Sequence, residues 1–176
     1  MKHLTRVLLI ILLAVLIIMA ACNDDYFKLK WYNHRYQKAI GGEKTEGLTL
    51  TIYYIPHYLL TRAPLTVEDL KGMEDTRKIV VSSDELAEHL IKFKQLDLSA
   101  LRPTKEKYGM NACFYYVIES GEQKVLEVVM QQLVGEDDEA FGTFVNGIRV
   151  KSIPALYEII YPFLSEEEHR ELGLCN

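Results

Sequence analysis

The sequence predicts an α+β fold, in which a single small domain has an antiparallel β-sheet with helices packed mainly on one face. Strand-like runs follow one another across short connections, and Asn146-Gly147 between apolar residues is a strong hairpin signal. The helical patterns are inserted between strands and do not alternate with them, which favours an antiparallel sheet. With 176 residues, 49% of them apolar, the chain can bury a core.

The first predicted strand runs from Leu48 to Ile55, where β-branched and aromatic residues alternate, and it ends before Pro56. Residues 57–76 contain Pro64 and Gly72 and predict a loop with at most one turn of helix. A second, short strand follows at 77–81.

Two hairpins are predicted in the second half of the chain. Residues 111–119 and 124–132 are β-rich runs joined by the short turn Ser120-Gly121-Glu122-Gln123. Residues 142–151 form the second hairpin, with Asn146-Gly147 as its turn.

Helix signals come from capping residues and prolines. Ser82 and Glu85 form a capping-box pattern that opens a helix at 82–96, and Ser165 with Glu168 repeats the pattern near the C-terminus. Pro154 suits the first turn of a helix at 154–164, which Pro162 ends or kinks. We expect the helices at 82–96 and 154–164 to cover one face of the sheet. The other face would be in water or available for binding.

The N-terminus has the layout of a secretory signal. Lys2 and Arg6 precede an uncharged apolar run from Val7 to Met19, and small residues follow. The run is shorter than the roughly 20 apolar residues of a membrane-spanning helix. An uncleaved N-terminal membrane helix is the alternative, and both interpretations place the domain outside the cytoplasm.

Met19-Ala20-Ala21-Cys22 resembles the lipobox of bacterial lipoproteins, with Met19 at a position where that class usually has leucine. The resemblance implies that residues 1–21 are a signal peptide, that Cys22 is lipidated, and that the lipid holds the chain on the cell membrane or envelope. Several acyl chains, at about 0.8 kcal/mol per buried methylene, anchor a domain stably.

Residues 22–47 mix aromatic and charged residues and end in a glycine-rich segment, which favours a tether before a domain at 48–176. Several of its aromatic residues have helical spacing in places and could pack on the domain or at the membrane interface. They are Tyr26, Phe27, Trp31, Tyr32 and Tyr36.

Charge excludes some classes of function. Removal of Lys2 and Arg6 with the signal takes the formal net charge from −5 to about −7. Nucleic acid is therefore not an expected partner, because its binding needs clustered lysine and arginine.

No motif for a metal, a cofactor or a catalytic nucleophile stands out. His34, His57, His89 and His169 lack the spacing of metal ligands, and His89 and His169 are expected at the surface or its boundary. The acidic residues 136–139 lack the pattern of a calcium loop and favour a solvated loop. We therefore predict no metal, no cofactor and no catalytic residue.

After Cys22 is modified, Cys113 and Cys175 remain as a possible disulfide in an oxidising compartment. A buried free thiol at Cys113 is the alternative, since this residue lies in an apolar run.

Tyrosines and an acidic pair are the candidate binding surface. One residue of Tyr53-Tyr54 and one of Tyr115-Tyr116 should point away from the core, because side chains alternate along a strand. Core tyrosines with satisfied hydroxyls are the alternative for all four. Asp137 and Asp138 would add negative charge to such a surface.

The function expected from these observations is that of a membrane-anchored binding or interaction module with a protein or envelope partner. An inhibitor or immunity role against a basic partner belongs to this class, because charge complementarity favours it. The rival prediction is an envelope-associated hydrolase whose active site carries no recognisable motif.

Overall fold

Six antiparallel strands form one sheet in the computed structural model, in the order β2-β1-β3-β4-β5-β6. The structure describes residues 2–22, 24–42, 47–56, 58–59, 63–105, 110–130, 142–151 and 153–172. The strands are β1 (Leu48–Tyr54), β2 (Arg77–Val81), β3 (Phe114–Ser120), β4 (Gln123–Met130), β5 (Thr143–Val145) and β6 (Ile148–Val150). The predicted α+β class is confirmed.

Tight turns set the register of both predicted hairpins, which are present. Gly121, with φ of 59°, turns β3 into β4, and Asn146 and Gly147, with φ of 48° and 77°, turn β5 into β6. Two successive residues with positive φ make the type I′ turn that matches the twist of paired strands. The residue pair Asn146-Gly147 therefore specifies its hairpin locally.

The described helices are α1 (Lys2–Cys22), α2 (Asp25–Ile40), α3 (Val67–Gly72), α4 (Ser83–Gln95), α5 (Ala155–Glu158) and α6 (Glu166–Glu171). Short 3₁₀ helices lie at Leu98–Ala100 and Tyr161–Phe163. The Ser165 hydroxyl accepts a hydrogen bond from the Glu168 amide, and the Glu168 carboxylate accepts one from the Ser165 amide, so this predicted capping box is confirmed. The helix predicted at 154–164 is divided into α5 and a 3₁₀ turn, in which Pro162 takes an early position that needs no amide donor.

The main core lies on one face of the sheet, beneath α2, α4 and α5, and Leu164 and Leu172 on either side of α6 also belong to it. Apolar side chains at alternate positions of the strands meet the buried stripes of these helices. Its fully buried members include Leu29, Tyr36, Ile40, Leu50, Ile52, Leu86, Phe93, Tyr116, Leu126, Val128, Leu156 and Ile160.

Residues 25–40 belong to the domain, so the expected tether at 22–47 is wrong for this stretch. Leu29, Tyr36 and Ile40 of α2 are fully buried in the main core. Polar contacts hold the same helix in place, since the Tyr36 hydroxyl donates to the Phe93 carbonyl at 2.8 Å and the Gln37 side-chain amide donates to the Leu96 carbonyl at 2.8 Å. The helix therefore stabilises the fold as an integral element.

A second core covers part of the opposite face of the sheet. It contains Ile55, Val67, Leu70, Ala112, Tyr115, Val117 and Val129. Helix α3 supplies Val67 and Leu70, and the chain before β3 supplies Ala112. The face that the sequence left open is therefore partly covered.

The described side chains of helix α1 belong to neither core. Its described large apolar side chains between Val7 and Ile18 are 45–67% exposed, and none of them belongs to the main or the second core. Within the described residues, no helix combines the length and apolarity needed to cross a membrane.

Candidate functional site

The candidate site is a group of tyrosines and lysines on the face of the sheet opposite the main core. Lys78 of β2, Tyr53 of β1 and Tyr115 of β3 stand opposite one another across neighbouring strands. Lys71, from the last turn of α3, reaches over the same rings. We call Tyr53, Tyr115, Lys71 and Lys78 the tyrosine–lysine face.

The two lysines lie against the aromatic rings. The Lys71 Nζ atom is 4.5 Å from the Tyr115 ring centroid and 5.4 Å from that of Tyr53, and the Lys78 Nζ atom is 5.5 Å from the Tyr53 ring. The two ring centroids are 5.9 Å apart. These distances fall in the range of cation–π attraction, and both lysines are exposed. The face therefore presents two positive charges on an aromatic base.

The Glu127 carboxylate holds Tyr115 in position at the edge of the tyrosine–lysine face. The Tyr115 hydroxyl donates to Glu127 Oε1 at 3.0 Å, and the Lys124 ammonium approaches the same oxygen at 2.7 Å. Burial, followed by the nearby Glu127 carboxylate and its hydrogen bond, raises the pKa of Tyr115 far above its usual range. Tyr115 is therefore a neutral hydrogen-bond donor held in one orientation.

The alternation predicted for the tyrosine pairs is confirmed, but three of the four tyrosines are not a surface. Tyr54 and Tyr116 face the main core, while Tyr115 lies in the second core, and each is at most 1% exposed. Tyr115 is covered because α3 and the chain before β3 pack over it. Tyr53 remains half-buried. Asp137 and Asp138 lie outside the described residues.

The hydroxyls of Tyr54 and Tyr116 have hydrogen-bond partners, as expected for tyrosines in a core. The Tyr116 hydroxyl donates to the Leu156 carbonyl at 2.7 Å, and the Tyr54 hydroxyl donates to Glu171 Oε2 at 2.8 Å. The Arg77 guanidinium lies 3.2 Å from the other Glu171 oxygen. Burial alone would raise the pKa of Glu171, but the hydrogen bonds from Tyr54 and Arg77 and the Arg77 charge together hold that pKa below its usual value. This group links β1, β2 and α6.

Cys113 is half-buried beside the second core, and burial raises the pKa of its thiol. A raised pKa lowers the fraction of thiolate at neutral pH and so opposes nucleophilic chemistry. Cys175 lies outside the described residues, and the disulfide with Cys113 stays a prediction.

The histidines take separate positions. His34 is exposed on α2, and His89 packs its ring edge on Phe163 with 5.1 Å between centroids. His169 is buried, which corrects its expected position at the surface or its boundary, and its ring stacks on that of Tyr161 with 4.0 Å between centroids. His57 lies outside the described residues. Among the residues that the structure describes, no group of three or more histidine, cysteine, aspartate or glutamate side chains could hold a metal ion.

Sequence reasoning missed the lysines of the tyrosine–lysine face. Lys78 sits between Arg77 and Ile79 on a strand, so alternation could have placed it opposite the main core, but its position beside Tyr53 needed the β1–β2 register. Lys71 reaches the rings only through the packing of α3, for which the sequence carries no signal.

No family model, no curated protein and no solved structure matches this chain significantly.

Proposed function

We propose that this chain is a lipid-anchored, extracytoplasmic binding module that contacts a protein or envelope partner through the tyrosine–lysine face. The single observation that carries the binding role is the placement of two exposed ammonium groups, Lys71 and Lys78, on tyrosine rings. The half-buried Tyr53 supplies contact area, and the two lysines supply charge held in place by the rings. Such a face suits a partner that carries carboxylate or phosphate groups.

The anchor is supported by the N-terminal sequence and by the position of α1. Met19-Ala20-Ala21-Cys22 has the lipobox pattern, and the described apolar side chains before it contribute to neither core. Loss of residues 1–21 would therefore remove none of the side chains that the structure places in the two cores. The lipid on Cys22 would then hold the domain at the outer side of a membrane.

Binding is favoured over hydrolysis by the state of the acidic groups near the tyrosines. The Glu127 carboxylate is engaged by Tyr115 and Lys124, and the Glu171 carboxylate by Tyr54 and Arg77. A general acid needs a raised pKa, whereas that of Glu171 is lowered. These carboxylates orient their neighbours and stabilise the fold. An inhibitor or immunity role, in which the acidic domain neutralises a basic partner, stays a prediction.

Intact-mass spectrometry of the protein purified from its own membranes tests the anchor. We expect loss of residues 1–21 and added acyl mass on Cys22, and a Cys22→Ser variant should leave the membrane fraction. An unprocessed Met1 or an unmodified Cys22 thiol would contradict the lipid anchor.

Charge reversal tests the binding face. Wild-type protein and a Lys71→Glu/Lys78→Glu variant are cross-linked in their membrane, and the attached partners are compared by mass spectrometry. The matched control is Lys92→Glu/Lys94→Glu, which reverses two exposed charges on α4. We expect the first variant to lose a partner that the control retains. Equal recovery in both variants would exclude the tyrosine–lysine face as the contact.

A further inference from the structure

Helix α2 has an outer stripe of aromatic residues that the fold does not use. Phe27 and Trp31 lie one turn apart on the side opposite Leu29, and they are 56% and 54% exposed. Tyr26, in the first turn of the helix and nearer the side of Leu29, is 51% exposed. Aromatic side chains of this size on an otherwise core-packed helix mark a contact surface.

Basic residues accompany the stripe. The Arg35 guanidinium carbon lies 4.7 Å from the Trp31 ring centroid, and Lys30 and Lys38 are exposed on the same outer side of α2. Aromatic rings with lysine and arginine at their borders are typical of helices that lie in a membrane interface, because the rings enter the headgroup region while the cations remain in water.

The stripe is close to the proposed lipid. The Asp24 carboxylate accepts a hydrogen bond from the Tyr26 amide at 2.9 Å, so α2 begins directly after the lipobox cysteine. Residues 22 to 25 span at most about 10 Å when extended. Trp31 lies about 9 Å further along the helix axis. The outer stripe is therefore within about 20 Å of the acyl chains.

We propose that the outer stripe of α2, consisting of Phe27 and Trp31, lies in the headgroup region of the bilayer and fixes the orientation of the domain. The proposal rests on the lipid anchor of the proposed function, which brings the stripe to the membrane. Because the sheet separates α2 from the tyrosine–lysine face, that face then points away from the membrane toward a partner.

The chain has a single tryptophan, Trp31, which makes the test specific. The full processed protein is reconstituted in phosphatidylcholine vesicles, and its fluorescence is quenched either by brominated phosphatidylcholine or by aqueous acrylamide. The control moves the reporter with Trp31→Phe/Val80→Trp. Val80 is 59% exposed. It pairs with Thr51, which pairs with Val117 of the second core. Val80 therefore lies on the face of the sheet opposite α2.

We expect strong quenching of Trp31 by the brominated lipid and an acrylamide quenching constant several-fold lower than that of the Val80→Trp reporter. The tryptophan at position 80 should show the reverse. Because aromatic insertion does not need anionic lipid, added salt should leave the pattern unchanged.

Intact mass of the same sample separates this inference from the lipid anchor. If Cys22 is acylated but acrylamide quenches both reporters equally, the interfacial position of α2 is overturned while the anchor stands. If Cys22 is unmodified but the brominated lipid still quenches Trp31, the anchor is overturned and the interfacial contact of the stripe is supported.

Discussion

Replacing Leu29 with alanine should destabilise the whole domain by about 3 kcal/mol. The Leu29 side chain is fully buried in the main core, and the substitution removes three carbons from it. At about 0.8 kcal/mol for each buried carbon group, the lost transfer energy is about 2.4 kcal/mol. The cavity left under α2 raises the total to about 3 kcal/mol.

Urea unfolding, followed by far-ultraviolet circular dichroism, measures this change. The midpoint concentration should fall while the slope stays constant, because the same surface is exposed on unfolding. Thermal unfolding should shift by about 6 to 12 °C in a domain of this size. The matched control is Lys30→Ala, an exposed neighbour whose loss should cost no more than about 0.5 kcal/mol. An equal effect of both substitutions would refute the role of α2 in the core and support the expectation that residues 22–47 are a tether.

Three further changes test local features. Gly147→Ala should cost about 1 kcal/mol in urea unfolding, because φ at this position is 77°, whereas Gly72→Ala, which has open space and no positive φ, should be close to neutral. Ser165→Ala should cost about 1 kcal/mol in the same assay through loss of the cap on α6. Glu171→Gln should flatten the fall in thermal stability under acid conditions. Since the pKa of Glu171 is below its ordinary 4.5 in the folded state, its contribution is present above that pH and is lost as the pH falls through the folded pKa. If the melting temperature of the variant fell with decreasing pH as steeply as that of the wild type, the hydrogen bonds assigned to Glu171 would be contradicted.

Strands and turns could be predicted from the sequence because their determinants are local. The run from Arg77 to Val81 is the second strand with the bounds expected, and Asn146-Gly147 forms the turn that its sequence favours. Capping residues place a helix start in the same way, since the side chain at Ser165 bonds an amide three residues later.

The role of α2 could not be predicted, because its buried side is short and mixed with polar residues. Only Leu29, Tyr36 and Ile40 are buried on it, and Asn33 supports it through a 2.9 Å bond that its side-chain oxygen accepts from the Leu98 amide. That bond joins residues far apart in the chain. No pattern within 22–47 reveals such a partner.

For Tyr115, a core position was one of two expectations, and the sequence could not decide between them for a related reason. Strand alternation assigns a side chain to one face of the sheet but does not say what covers that face. Here Leu70 of α3 and Ala112 pack in the second core with Tyr115. Two of the four expected tyrosines therefore drop out of the candidate site, and its charged residues, Lys71 and Lys78, were not among the residues expected from the sequence.

The early start of α2 has a mechanical consequence. Asp24 caps α2, and Leu29 lies in the main core. Only Asn23 therefore separates Cys22 from the first residue that caps the domain. Any tension transmitted from a membrane through Cys22 would act directly on α2 and on the hydrogen bond from the Tyr36 hydroxyl to the Phe93 carbonyl. Under the proposed lipid anchor, the domain would stay within a few nanometres of the bilayer, and a partner would have to reach the membrane surface to be bound.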